Sequence, residues 1–291
     1  MVTVYFLSNK EGAVAHALGR FFGKTKAALR LEFISTKEFK KNKKLIVARI
    51  LAGGSSKLLV TYNFGYILPS ILVNNIMGLN IHFSLLPQYR GPLPTIATIL
   101  NQEKVTGITV HRLTEHVDAG DIFMQVGYKI KYPITAGQLF KTLEQHLISD
   151  VLPYLVEAIA KGLVFNEANY FVQNGEVSYA PFYLRKKQNA KVSFKKMTAI
   201  EILHRVLAFN PEPVAFTFFK VSGKKRMVNL YSVSVINEVR LKPGEVMFSK
   251  QHRRLLVGSL LGAVSLEEIA IEGKKRLYGE QIGSIRDRIR V

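Results

Sequence analysis

Asn80-Ile81-His82-Phe83-Ser84-Leu85-Leu86-Pro87 is the densest polar cluster in an apolar setting along this chain. On a strand, successive side chains point to opposite faces. Asn80, His82 and Ser84 therefore share one face, while Ile81 and Phe83 point the other way, into a core. A strand that ends in polar residues and runs into a Pro turn fits the carboxyl edge of a parallel sheet, where α/β folds bind their ligands. Taken alone, an Asn-x-His pair fits a buried, hydrogen-bonded structural histidine at least as well.

The flanking sequence supplies the rest of such a sheet. Short β-branched runs at 2–7, 31–35, 57–62, 80–84 and 107–113 predict strands. Helical patterns separate them at 12–22, 44–52, 69–73 and 93–100. This alternation predicts an α/β, Rossmann-like parallel sheet with helices on both faces. A long helical pattern runs from 136 to about 163, with Thr135 as a cap, Gly162 near its end and Pro153 positioned to kink it. Beyond residue 180 the register changes. After a helical pattern at 199–208, short strand-like runs at 214–221, 227–235, 245–248, 255–257 and 264–271 are punctuated by glycines. Strands at that spacing predict a small antiparallel barrel.

The 291 residues are enough for two domains, and 48% hydrophobic residues exclude a disordered or collagen-like chain. There is no cysteine, so disulfides, thiolate metal sites and cysteine nucleophiles are excluded. The net charge of +20 favours a polyanionic partner, nucleic acid before an anionic membrane surface. Residues 185–291 carry 22 basic and 9 acidic side chains against 19 and 12 in residues 1–184, so most of the excess lies in the shorter part. Arg185-Lys186-Lys187-Gln188-Asn189-Ala190-Lys191 reads as a basic linker. The apolar N-terminus lacks a preceding basic segment and reads as a strand, not a signal peptide. No uncharged run approaches the roughly 18 residues of a membrane span. A cytoplasmic or organelle-matrix protein is the expectation.

A second polar cluster, Asp118-Ala119-Gly120-Asp121, follows the run at 107–113. Gly120 allows a close backbone approach or a positive φ. Asp118 fits an Asx-turn, an orienting partner for His82, or a base. The chain lacks a helical His-x-x-x-His pair or another carboxylate–histidine signature, which argues against a metal. It also lacks Gly-x-Gly-x-x-Gly after the first strand and a Gly-Lys-Ser/Thr phosphate loop, which argues against dinucleotide and ATP binding.

Asn80-Ile81-His82-Phe83-Ser84-Leu85-Leu86-Pro87-Gln88-Tyr89-Arg90-Gly91 resembles the signature of the folate-dependent formyltransferases. Thr106-Gly107-Ile108-Thr109 and Asp118-Ala119-Gly120-Asp121 follow at that family's spacing. Phe64-Gly65-Tyr66-Ile67-Leu68-Pro69 resembles the segment bordering its folate pocket, and Ala208-Phe209-Asn210-Pro211 resembles a motif that opens the C-terminal domain of its tRNA-directed members. The resemblance implies a catalytic trio of Asn80, His82 and Asp118. It implies folate contacts at Ser84, Leu85, Leu86, Pro87, Phe64, Gly65, Ile67, Leu68 and Gly120. It further implies 10-formyltetrahydrofolate as co-substrate without a metal, and charged initiator methionyl-tRNA as partner to a monomeric enzyme. The implied architecture is a formyltransferase catalytic domain at 1–180, a basic linker at 181–192 and an OB-like β-barrel at 193–291 that binds tRNA.

Two segments depart from the family pattern. Ser8-Asn9-Lys10-Glu11-Gly12 stands where a Gly-rich, Phe-containing turn is usual. A long basic loop after the second strand is compressed to residues 36–44, leaving Lys40, Lys41, Lys43 and Lys44 as its cationic remnant. Together with Arg185, Lys186, Lys187 and Lys191 they are the candidate tRNA contacts. Two alternatives stay open at this level: a formyltransferase acting on another amine, such as an amino sugar nucleotide, and a non-catalytic RNA-binding protein on the same fold.

Overall fold

The computed structural model describes residues 1–52, 56–251, 253–285 and 289–290. The chain divides into two compact units. The first holds Met1–Pro94, Lys104–Ile130 and Phe140–Pro181; the second holds Thr95–Glu103, Lys131–Leu139 and Phe182–Val291.

In the first unit, β1 (Val2–Ser8), α1 (Ala13–Lys24), β2 (Leu29–Ser35), α2 (Thr36–Lys41), α3 (Lys43–Ala52), β3 (Ser56–Tyr62), α4 (Ser70–Asn75) and β4 (Gly78–His82) alternate, with α2, capped by the Ser35 hydroxyl, helical where the sequence reads as a compressed loop. Helix α5 (Pro94–Leu100) leads to β5 (Val105–Arg112) and β6 (Ile122–Lys129). The sheet order is β2-β1-β3-β4-β5-β6. Strands β1 to β4 pair in parallel, whereas β5 pairs antiparallel with β4 and β6 with β5. The expected all-parallel sheet is thus mixed: β5 already runs antiparallel to β4 although α5 lies between them, and β6 returns from β5 through the 113–121 loop, too short for a helical crossover.

Tyr5, Leu7, Ile34, Phe39, Ile46, Ile50, Leu59 and Leu72 form a core against β1 and β3. Phe64, Tyr66 and Leu68 pack onto it, with Phe39 edge-on to Phe64 at 5.5 Å and tilted against Tyr66 at 5.6 Å. The long helical pattern is continuous but not uniform. Helix α6 (Ala136–His146) passes through a π turn at Leu147–Val151 into α7 (Leu152–Ala160). Pro153 offers no N–H and crowds the carbonyl four residues back, so the ladder widens there instead of breaking.

In the second unit, Thr198 and Glu201 close a capping box on α8 (Ala199–Ala208). Seven strands follow: β7 (Ala215–Val221), β8 (Lys224–Ile236), β9 (Val246–Ser249), β10 (Arg254–Gly258), β11 (Ala263–Ile271), β12 (Arg276–Tyr278) and β13 (Ile289–Arg290), with α9 (Glu280–Gly283) before the last. Ser222 and Gly223, both at positive φ, make the tight β7–β8 turn. The pairing path is β13-β7-β8-β11-β10-β9, with β12 added to β11. The expected OB-like barrel is not closed: among the described residues no ladder joins β13 to β9, and these end strands span two and four residues. The basic segment is not a free tether either. It folds into 3-10 turns at Phe182–Arg185 and Lys187–Ala190, and Ala190 and Val192 are buried.

Phe39 is fully buried and anchors Phe64 and Tyr66, so Phe39→Ala should cost about 3–5 kcal/mol. Urea unfolding followed by circular dichroism reads this directly. A loss under about 1 kcal/mol would mean that the 64–68 segment is anchored elsewhere.

Candidate active site

Strand β4 delivers Asn80 and His82 to one face, and β5 places His111 and Thr109 directly opposite them in register. The 113–121 loop carries Asp118, at φ +52°, back over the same face. Asp118 is mostly buried and fully engaged. Its Oδ2 accepts the Gly91 N–H at 2.7 Å and lies 3.5 Å from His82 Nδ1. Its Oδ1 accepts from Asn80 Nδ2 at 3.0 Å and stands 3.3 Å from His111 Nε2.

A carboxylate only accepts hydrogen bonds, so the Asn80 amide must turn its nitrogen to Asp118. Its oxygen accepts the Thr61 hydroxyl at 2.7 Å, and its second N–H goes to His111 Nε2 at 3.0 Å. His111 Nδ1 donates to the Arg112 carbonyl at 2.9 Å, which fixes that tautomer. His82 Nε2 lies 2.9 Å from the Tyr89 carbonyl, which can only accept. The His82 proton therefore sits on Nε2, and Nδ1 is the atom that can take up another, beside Asp118. Burial pulls the His82 ring below its ordinary value, outweighing the Asp118 carboxylate that pulls it up. Burial pushes the Asp118 carboxyl up, but the His82 ring, then the His111 ring and the Gly91 N–H, outweigh it and hold the group well below the usual carboxylate range.

The loop is strapped from behind. Gln173 Oε1 accepts from Arg90 at 2.6 and 3.2 Å, while its Nε2 donates to the carbonyls of Asp118 and Gly120 at 2.9 and 2.7 Å. Gly120 has no room for a Cβ, which would lie 2.1 Å from the Arg112 carbonyl. The structure thus brings Asn80, His82, Asp118 and Gly120 together. His111, Thr61 and Gln173 belong to the same network, although the sequence reading did not single them out.

The implied folate residues fall into two groups. Ser84, Leu86 and Pro87 are buried, and Ser84 Oγ donates to the Gln88 carbonyl at 2.6 Å. Thr109 donates to the Ser84 carbonyl at 2.6 Å, and Gln125 holds the Leu86 carbonyl at 3.0 Å. These residues shape the turn after β4. Leu85 is half-buried over Gly107, where a Cβ would approach it to 2.2 Å. Ile67 is 75% exposed beside the half-buried Phe64 and Leu68, so this segment offers open apolar surface. The Gly65 N–H donates to Asn9 Oδ1 at 3.0 Å, which also accepts the Thr36 hydroxyl at 2.9 Å. The unusual turn after β1 therefore holds the 64–68 segment through one amide.

Lys40, Lys41, Lys43 and Lys44 are exposed on α2 and α3, and the Nζ atoms of Lys40 and Lys43 lie 5.8 and 5.5 Å from the Tyr66 ring centre. Arg185, Lys186, Lys187 and Lys191 are exposed on the second unit. Among the described residues no cluster of histidine and acidic side chains has the makings of a metal site, and no helix is long and apolar enough to cross a membrane.

Residues 12–152 match the family described as formyl transferase, and residues 185–285 match the formyl transferase C-terminal domain. A methionyl-tRNA formyltransferase of Methylacidiphilum infernorum is 35% identical over 224 residues, covering 76% of this chain and 68% of the relative. That of Natranaerobius thermophilus is 33% identical over 239 residues, covering 80% and 73%. Among solved structures, WlaRD, a sugar 3N-formyl transferase crystallised with dTDP and 5-N-formyl-THF, superposes with a TM-score of 0.65 at 19% identity, covering 94% of this chain and 99% of that one.

Both His82 and Asp118 bind protons less readily folded than unfolded, where their values are about 6.5 and 3.9. As pH falls, the unfolded chain protonates first, so each contribution to stability is whole above the unfolded value and is lost below it. His82→Gln should therefore flatten the decline of the urea midpoint that begins near pH 6.5, and it should also lessen the loss below about pH 4, because the His82 ring leads the groups that hold the Asp118 carboxyl down. An unaltered profile between about pH 6.5 and 5 would show that His82 is not the responsible group.

Proposed function

The chain belongs to the formyl transferase family, and we infer that it transfers the formyl group of 10-formyltetrahydrofolate to the amino group of methionyl-initiator tRNA. The observation that carries this reading is the cluster at the end of β4 in which Asp118 is hydrogen-bonded to Asn80 and lies 3.5 Å from His82 Nδ1, in a chain whose relatives bear that activity by name. On this reading residues 1–180 carry catalysis, 181–192 are the basic linker and 193–291 form an OB-like module that holds tRNA. The enzyme acts as a monomer in the cytoplasm of a cell that formylates its initiator tRNA.

The chemistry asks for a positioned donor and a proton acceptor. An aminoacyl-ester amine is weakly basic, so much of it is neutral near pH 7 and attacks the formyl carbon without a strong base. As the new C–N bond forms, negative charge gathers on the formyl oxygen. Asn80 meets it by turning to that oxygen the N–H otherwise given to His111. His82 Nδ1 takes the proton from the nascent ammonium, and the neighbouring Asp118 carboxylate stabilises the imidazolium. When the bond to N10 of the folate breaks, Nδ1 returns its proton to that nitrogen. Asp118 acts here as orienter and counter-charge, because three of its contacts fix Asn80, Gly91 and the loop. The exposed apolar surface at Ile67 and Leu68 suits one face of a pterin.

A sugar formyltransferase shares the fold, but likeness at 19% identity carries no substrate with it. The basic excess in residues 185–291 favours a nucleic acid. A formylation assay with charged initiator tRNA against an amino sugar nucleotide decides; turnover only on the sugar would overturn the reading. Asn80→Ala or His82→Ala should lower turnover on the order of 100- to 1,000-fold with an intact circular dichroism spectrum, and near-normal turnover in either would remove that residue from the mechanism.

Neutralising Arg185, Lys186 and Lys187 together should weaken tRNA binding and flatten its salt dependence, by up to roughly one phosphate contact each. Turnover at saturating tRNA should hold. If that variant binds like wild type across the salt series while a Lys40, Lys41, Lys43 and Lys44 variant does not, the tRNA surface lies on the first unit instead.

A further inference from the structure

The outward face of the β7–β8 hairpin presents an aromatic ring between two ammonium groups. Phe218 is 37% exposed, although its strand neighbours Thr217 and Phe219 are buried. The Nζ of Lys225 lies 4.8 Å from the ring centre and that of Lys191 lies 5.8 Å from it. Phe216, on the same face, stands edge-on to Phe218 at 5.8 Å and 87° and backs it. Lys220 is exposed on that face and pairs across the hairpin with Lys225. Like charges directly opposite on a sheet are destabilising, and no ion pair to Lys191, Lys220 or Lys225 occurs among the described residues.

Lys191 is held in place by its backbone. The Val192 N–H donates to the Phe216 carbonyl at 2.7 Å, and Arg205 Nη1 donates to the carbonyls of Asn189 and Lys191, both at 3.2 Å. The cation therefore stands on a fixed strand edge beside the ring. A lysine over an exposed ring contributes about 0.5–1 kcal/mol, while a base stacked on an aromatic side chain contributes about 1–3 kcal/mol. A base displaces the ammonium from the ring face, and the flanking phosphates give the ammonium a better partner.

We propose that this face seats an unpaired nucleotide of RNA, its base stacked on Phe218 and its neighbouring phosphates against Lys191 and Lys225. The proposal rests on the reading of tRNA as the bound polyanion and adds a stacking contact to it. The test uses the full chain with initiator tRNA and with a short single-stranded RNA carrying 2-aminopurine. Phe218→Ala should weaken RNA binding about 5- to 150-fold without changing the salt slope, and Phe218→Trp should preserve it. Lys191→Gln and Lys225→Gln should each reduce the slope by about 0.7–0.9. The 2-aminopurine emission should be quenched by wild type and not by Phe218→Ala. Wild-type affinity or persistent quenching in Phe218→Ala overturns the proposal, as does displacement of the RNA by polyglutamate of equal charge. Formyl transfer is read separately. Turnover on methionyl-tRNA with indifference to Phe218 removes only the stacking seat; quenching that depends on Phe218 without formyl transfer removes only the catalytic reading.

Discussion

Asp118 is the group around which the site is organised. A mostly buried carboxylate is costly unless its oxygens are satisfied; here one accepts a backbone N–H and the other an amide N–H, and two imidazole rings stand 3.5 and 3.3 Å away. The same contacts fix the rotamer of Asn80, the position of Gly91 and the order of the loop. The site thus has little freedom to vary one member alone. The mixed sheet makes this possible: an antiparallel β5 places His111 opposite Asn80, where a parallel neighbour would set up a different register.

Much of this was legible in the chain. The alternation of Asn80, Ile81, His82 and Phe83 puts Asn80 and His82 on one face, and the structure sets both beside Asp118. His111 escaped because its partner is set by strand pairing. Thr109 and His111 alternate on β5 as plainly as Asn80 and His82 do on β4, but nothing local says that the two strands are neighbours. Gln173 lies 55 residues from Asp118 and sits in irregular chain, where periodicity has nothing to report. The posture of Ser84, a candidate folate contact, was not legible, since its hydroxyl turns inward to the Gln88 carbonyl.

The second unit repeats the lesson with charge. Composition located the basic excess, and it nominated the linker cations as candidate nucleic-acid contacts. It did not reveal that Ala190 and Val192 are buried, so that Lys191 stands on a fixed strand edge. Barrel closure is a property of the whole strand path, and the short end strands, which no ladder joins among the described residues, look like any other short strands in sequence.

The strap behind the catalytic loop sets how much chain the site needs. Residues 173–180 cross back over the 87–93 turn: Ser178 Oγ accepts the Tyr89 N–H at 2.9 Å, the Arg90 N–H donates to the Ser178 carbonyl at 2.9 Å and the Arg90 carbonyl accepts the Ala180 N–H at 2.7 Å, and Gln173 clamps Arg90 to the Asp118 loop. The family's N-terminal match ends at residue 152, short of all of these contacts. A domain transplanted or recombined at that border would carry Asn80, His82 and Asp118 and leave behind the segment that straps the Asp118 loop. The heritable module of this chemistry is therefore longer than its signature, and its true boundary is drawn by the amide of Gln173.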